Sequence, residues 1–329
     1  MSGYLITASP LRAAQTLDIP TVVSLTDFWF LCPRITMLRS NGELSTLPLE
    51  ASRCVRCLRE EKRRFRWPGK MFPRLSDFYW GLLTGEISEL EKRLSFLRES
   101  LNQTDKLISP SKFLQSMYIK AGVDSERIDF SRQGRDFHHL SGRELSKSSS
   151  DKLRLAYIGQ IVEHKGIHVI VEALSIIKSN DIELKVYGDL NTSERYAKEL
   201  IKIAAADLRI EFCGRFQPDD LLKIHQSIDV LIVPSVWYEN SPNVILEAFA
   251  HKTPVIATNL GGMAELIEDG QNGFVFEVGD AEHLAEKIEE LINHPEILAS
   301  LQDGIVSPRA LSEEIDDLET IYRNVCEKE

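Results

Sequence analysis

The sequence predicts an α/β protein of two domains, the second built on a doubly wound parallel sheet. Three observations predict it. At 329 residues and 43% hydrophobic content, the chain is long enough for about two domains with full cores. From residue 151 onward, short β-rich runs alternate with longer segments of helical period, the pattern of strands joined by crossover helices. Gly159, Gly188 and Gly214 follow three of these runs directly, placing glycine where such a sheet brings its backbone close to a ligand.

The predicted strands of the second domain are Leu153 to Ile158, Ile182 to Tyr187, Arg209 to Cys213, Asp229 to Val233, Pro254 to Ala257 and Gly273 to Phe276. Their Ile, Val, Leu and Tyr are nearly continuous, as expected when helices cover both faces of the sheet. The intervening helices are expected around Ile167 to Ile177, Glu194 to Ala206, Asp219 to Gln226, Asn243 to His251, Met263 to Glu268 and Ala281 to Ile292. The segment Leu140 to Asp151 is rich in Ser, Lys and Arg without apolar period, so it reads as a linker. It divides the chain into domains at 1–140 and 151–329. In the first, Gly3 to Leu17 reads as a helix, Pro20 to Leu25 and Lys106 to Ile108 as strands, and Glu86 to Asn102 as an amphipathic helix with Ile87, Leu90, Leu94, Leu97 and Leu101 on one face.

A net charge of -11 argues against a general nucleic-acid binder, which needs a basic surplus. Apolar runs fall short of the roughly 20 residues that span a bilayer, and no basic segment precedes an apolar one at the N-terminus, so the expected location is cytoplasmic. The five cysteines are odd in number and scattered, which favours reduced thiols. Cys32, Cys54 and Cys57 either hold a metal with a fourth ligand from elsewhere or stand as local thiols. Cys213 is expected in the core. Arg53 to Arg74 carries nine Lys or Arg against Glu60 and Glu61, interleaved with Phe65, Trp67 and Phe72. It reads either as a surface for anionic lipid head groups or acceptors at the cytoplasmic face of a membrane, or as a solvated loop and helix face.

The chemistry concentrates between Pro234 and Glu247. A strand ending at Val233 leads through Glu239 and Asn240 to Ser241-Pro242, read as a helix N-cap and first helical residue. Such a start aims the amides of Asn243 and Val244, with the positive end of the helix dipole, at whatever lies above the sheet; phosphate suits that place. Glu239 and Glu247 then lie near the mouth of one cleft, where carboxylates accept hydrogen bonds from sugar hydroxyls. Amides for phosphate beside carboxylates for hydroxyls suit a nucleotide sugar. Taken singly, Glu239 reads as stabilising the helix dipole and Glu247 as a surface helix residue.

Glu239, Asn240, Ser241, Pro242, Asn243 and Glu247 resemble the E-x7-E motif of the large retaining glycosyltransferase family 4, the glycosyl transferases group 1. Pro254 to Thr258, Gly261 to Glu265 and Asp269 to Phe274 are similar to that family in the same order. The resemblance implies a GT-B fold of two Rossmann-like domains: an acceptor-side domain over 1–140 and a nucleotide-sugar-binding domain over 151–329 with a closing helix around Glu314 to Val325. It implies transfer of a sugar from a nucleotide-diphosphate donor to a polysaccharide or lipid-linked acceptor with retention, with no separate cofactor and no metal. Lys165 would neutralise the leaving diphosphate and Glu239 would bind donor sugar hydroxyls, the catalytic pair. Glu247 would hold the ribose, with Gly159, Gln160, Asn240, Ser241, Asn243 and Val244 lining the donor pocket.

Three departures from the family pattern accompany the resemblance. Gln160 stands where many members have arginine, with Arg215 as a replacement cation, and Thr26 stands where histidine is usual in the segment Leu25 to Arg34. The likeness also begins in what resembles a later helix, so the first domain is expected to be incomplete at its N-terminus. These departures frame an alternative: a non-catalytic remnant or partner subunit that binds nucleotide without turnover.

Overall fold

The computed structural model describes residues 7–137, 140 and 147–327. The chain forms two compact units, Met1–Gln133 with Ser312–Glu329, and Gly134–Leu311.

The first unit opens with α1 (Ser9–Thr16), whose proline falls in the first turn where a missing N–H costs nothing. Residues 3–6 of the expected helix lie outside the described residues. After β1 (Val22–Ser24) come four helices, α2 (Ala51–Glu60), α3 (Arg63–Met71), α4 (Pro73–Gly81) and α5 (Thr84–Asn102), then β2 (Lys106–Ser109), α6 (Lys112–Lys120) and β3 (Ile128–Phe130). The three strands are parallel in the order β1-β2-β3. β3 is absent from the sequence-based expectation because Ile128-Asp129-Phe130 has no apolar run; pairing with β2 makes it a strand. The amphipathic reading of α5 holds, with Leu90, Leu97 and Leu101 buried. Ser111 caps α6 by accepting from the Leu114 N–H, and the buried Tyr118 donates its hydroxyl to the Asp27 carbonyl at 2.8 Å.

The second unit runs β4 (Leu153–Ile158), α7 (Ile167–Ile176), β5 (Ile182–Tyr187), α8 (Glu194–Ala204), β6 (Ile210–Gly214), α9 (Leu221–Gln226), β7 (Val230–Val233), α10 (Asn243–Ala250), β8 (Val255–Thr258), α11 (Gly261–Ala264), β9 (Gly273–Phe276), α12 (Ala281–Asn293) and α13 (Glu296–Asp303). A last helix, α14 (Leu311–Cys326), runs into the first unit from Ser312. All six strands expected in this half are present, some displaced by a residue, and all pair in parallel. The expected helix at Met263 to Glu268 instead starts two residues earlier and is a single turn. Of the linker, residues 141–146 lie outside the described residues.

The order β6-β5-β4-β7-β8-β9 reverses direction between β4 and β7. Connections leave β4 and β7 toward opposite sides of the sheet, which opens a crevice outside their carboxyl ends; ligands bind such sheets there. Helices cover both faces. Leu155 and Tyr157 face one core with Ile170, Leu174, Leu284 and Ile288, while Ala156 and Ile158 face the other with Ile245, Phe249 and Met263. Each fully buried aliphatic side chain contributes roughly 1.5–3 kcal/mol. At the opposite end, Arg154 clamps β4 to the chain entering β7: its guanidinium meets Asp229 twice, at 2.6 and 3.0 Å, and the Arg154 N–H donates to the same carboxylate. Cys213 is half-buried rather than in the core, because β6 is an edge strand. No helix among the described residues is long and apolar enough to cross a membrane.

Candidate donor site at the switch point of the second sheet

The loop from Gly159 to Gly166 leaves β4, and the loop from Pro234 to Pro242 leaves β7. Both therefore open at the crevice between those two strands. Gly166 lets them meet. Its φ of +72° is left-handed, and a Cβ there would lie 1.9 Å from the Pro234 carbonyl oxygen, so only glycine fits both the conformation and the space. The Val236 N–H then donates to the His164 carbonyl at 3.0 Å, and the His164 and Trp237 rings lie 4.6 Å apart.

This closure brings Lys165 to Glu239. The ammonium lies 2.5 Å from Glu239 Oε1, which also accepts from Ser235 Oγ at 2.9 Å and Trp237 Nε1 at 2.8 Å. Lys165 Nζ also stands 5.5 Å from the centre of the Trp237 ring. Glu239 is 9% exposed, and burying a charged group is costly unless it is paired and hydrogen-bonded, as it is here. Burial, and then the Glu239 charge, push the Tyr157 phenol well above its ordinary range, so it remains a neutral donor to the Gln160 carbonyl at 2.7 Å. Burial and the neighbouring Lys165 ammonium lower His164, which favours its neutral form. The Glu239 carbonyl accepts from the Gly262 N–H at 2.8 Å. A Cβ at Gly262 would reach within 1.7 Å of the Asn240 carbonyl, so the turn after β8 closes tightly on the same segment.

The other residues read from the sequence fall into separate pairings. Glu247 on α10 accepts from the Arg135 guanidinium at 2.8 Å; burial raises its carboxyl above the ordinary value and the Arg135 hydrogen bond offsets part of that rise. Arg215, beyond the end of β6, is exposed and ion-paired with Asp189, whose carboxyl the guanidinium lowers to about 2. Gln160 exposes its side chain, while the Gly159 N–H donates to the Tyr187 carbonyl. A Cβ at Gly188 would lie 2.1 Å from the Gly159 carbonyl, so this glycine serves packing between strand ends.

The helix start differs from the sequence-based expectation. Pro242, not Ser241, occupies the N-cap position; α10 begins at Asn243, with Ile245 N–H donating to the Pro242 carbonyl. Proline has no side-chain oxygen to cap with, and no side chain caps this end. Ser241 Oγ is buried without a hydrogen-bond partner. Sequence reasoning also missed Arg135, Ser235 and Trp237. Nothing in the sequence around Arg135 marks it, since its partner is 112 positions away.

In the first unit, Thr26 follows β1 and lines a cavity with Leu11, Val23, Asp27, Trp29 and Tyr118. Cys32, Cys54 and Cys57 line another together with Arg34, Arg39 and Arg53. No three His, Cys, Asp or Glu side chains among the described residues converge closely enough to hold a metal ion. Burial, followed by the other two sulfurs, raises the Cys54 thiol to about 11, so it is protonated at neutral pH.

Residues 143–304 match the family model of glycosyl transferases group 1. The chain is 30% identical over 200 residues to the capsular polysaccharide biosynthesis glycosyltransferase CapM of Staphylococcus aureus, covering 60% of this chain and 51% of that protein. It is 27% identical over 230 residues to the N-acetyl-alpha-D-glucosaminyl L-malate synthase of Bacillus anthracis, covering 68% and 57%. The matched region thus spans little more than half of these relatives. Among solved structures, Anabaena HepE in complex with UDP superposes with a TM-score of 0.68 at 19% identity, covering 95% of this chain and 75% of that one. Sucrose-phosphate synthase of Thermosynechococcus elongatus superposes at 0.61 with 21% identity, covering 71% and 62%. At these identities the structures show the fold: two Rossmann-like α/β units of the GT-B kind.

Proposed function

We propose that the chain is a retaining glycosyltransferase that moves a sugar from a nucleotide-diphosphate donor to a polysaccharide or glycolipid acceptor. The observation that carries this reading is the Lys165–Glu239 pair at the carboxyl ends of β4 and β7, where the sheet reverses order and binds its ligands. One cation and one carboxylate there match the two ends of a sugar diphosphate. Lys165 stabilises negative charge that grows on the leaving diphosphate, the step at which a fixed cation acts most strongly. Glu239 accepts from donor sugar hydroxyls. In the ligand-free chain the two neutralise each other, so donor binding redistributes an ion pair already in place.

Glu247 takes the ribose hydroxyls, with Arg135 offsetting part of the rise that burial imposes on its carboxyl. The amides of Asn243 and Val244 at the uncapped start of α10, with Asn240 and the buried Ser241 hydroxyl, hold sugar and phosphate. Gly159 and Gln160 line the diphosphate side. Arg215, tied to Asp189, takes part only by exchanging that partner. Solved HepE structures contain UDP, UDP-glucose, or UDP with glucose, and CapM is named for capsular polysaccharide biosynthesis; both support a nucleotide sugar and a carbohydrate acceptor for this chain.

Calorimetric titration of the full chain with UDP and with GDP tests the pocket. Binding by at least one, weakened about tenfold or more in Glu247→Ala by loss of a hydrogen bond to a charged group, is the expected result; no heat from either would overturn it. Turnover with the matching nucleotide sugar, followed by NMR of the product's anomeric proton, tests retention. Because Lys165 carries the diphosphate charge in this reading, turnover should persist in EDTA.

A further inference from the structure

The basic stretch singled out in the sequence takes no part in the donor site, and the structure gives it a shape. Residues 62–82 contain two consecutive helices, α3 and α4, whose outer surface carries large apolar side chains. Trp67 is 68% exposed and Phe78 70% exposed, with Met71, Phe72, Leu75 and Tyr79 also open to solvent. So many large exposed apolar groups within one short segment are of the kind that marks an interaction surface.

The patch is fixed from within. Glu60, 3% exposed, accepts from Arg56 at 2.9 Å and from Ser76, tying α2 to α4, and Arg56 reaches Asp77 at 2.5 Å. Trp80 is buried edge-on against Phe65. With the inward positions filled by this network, the aromatic residues outside it have no core left to enter.

We propose that α3 and α4 dock the protein on an anionic lipid surface. Charge selects this occupant. From residue 62 to residue 82 the sequence holds six Lys or Arg against one acidic residue, Asp77, which is paired with Arg56, within a chain whose net charge is -11. Lys62, Arg64 and Arg74 are exposed beside the apolar residues, and Arg64 lies over the Phe65 ring at 4.6 Å. Aromatic rings flanked by cations suit the head-group region of a bilayer, where the ring enters the interface and the cation meets lipid phosphate. The acidic remainder of the chain is repelled by that surface, which orients this face toward it. This inference stands apart from the nucleotide-sugar reading.

Flotation of the full-length chain with phosphatidylcholine vesicles, with and without phosphatidylglycerol, tests it. The expected result is binding only to the anionic vesicles, declining as salt is raised. Lys62→Ala/Arg64→Ala/Arg74→Ala should weaken that binding by about 100-fold, at roughly fivefold per cation. Trp67→Ser/Phe72→Ser/Phe78→Ser should abolish it. All six positions are exposed, and unchanged circular dichroism would show that each variant folds. Absence of wild-type binding to anionic vesicles would overturn the proposal. So would equal binding to neutral vesicles, or a wild-type dimer that the aromatic variant dissociates while the wild type ignores vesicles, since the patch would then join two copies of this chain.

Discussion

Lys165 and Glu239, 74 positions apart, share a 2.5 Å ion pair across the ends of adjacent strands. Lys165→Ala leaves a mostly buried carboxylate with only neutral donors, Ser235 and Trp237. The expected loss is about 1–3 kcal/mol in chemical denaturation of the second unit, with part of it recovered by adding Glu239→Gln, which removes the stranded charge. A double-mutant cycle showing no coupling would mean that the pair contributes nothing to stability. In the proposed reaction, Lys165→Ala should also lower kcat by roughly 100- to 1,000-fold.

Gly166 and Gly279 share a φ of +72°, but only Gly166 has a neighbour where a Cβ would go, the Pro234 carbonyl at 1.9 Å. Gly279→Ala should therefore lose only the conformational cost, about 1 kcal/mol. Gly166→Ala should lose clearly more and, in the proposed function, also weaken nucleotide binding, because the loop that carries Glu239 must move away from Lys165. Melting curves and calorimetry on the two variants make the comparison; equal losses would show that the two loops are not packed on each other as described.

Arg135 and Glu247 make a second test. Burial raises the Glu247 carboxyl and Arg135 offsets part of the rise, so Arg135→Ala should push it higher still. Ionising a carboxyl whose folded value is raised costs folding free energy, so its effect on stability is nil below the ordinary value of 4.5 and unfavourable once pH passes the folded one. Carbon-detected NMR of the Glu247 carboxyl across the acid range should show a midpoint above the ordinary value, and a higher one in Arg135→Ala. A midpoint unmoved by the substitution would remove Arg135 from this role.

How much of this was legible in the sequence depends on how local each signal is. The six strands of the second sheet could be read because each is a short, mostly apolar run, three of them followed directly by glycine, and Lys165, Glu239 and Glu247 stood inside motifs of fixed spacing. β3 could not be read, since Ile128-Asp129-Phe130 becomes a strand only by pairing with β2. Arg135 escaped for the same reason: its partner, 112 positions away, is chosen by the fold. The displaced cap at Ser241-Pro242 is a subtler case. Proline suits the first turn and also the position before it, and local chemistry alone does not separate the two.

Lys147 offers a pH test away from the Lys165–Glu239 pair. It donates to the His225 carbonyl at 2.7 Å and to Thr253 Oγ1 at 2.5 Å. Burial lowers its ammonium from 10.5 to about 8, and the Asp229 charge limits the drop. The other charged or titratable groups beside it do not reverse this: Arg154 lowers it further, and His225 is itself held neutral by burial and by the stacked His251. Between about 8 and 10.5 the unfolded chain therefore binds more protons at this residue than the folded one, so its contribution to stability rises with pH across that window. Tyrosines with raised values, such as Tyr187 at about 12, pull the other way above pH 10, so the total profile mixes the two. Subtracting the unfolding free energies of Lys147→Met from those of the wild type at each pH isolates the lysine: the difference should climb from pH 8 to 10.5, and a flat difference would mean that the ammonium keeps its ordinary value in the folded chain.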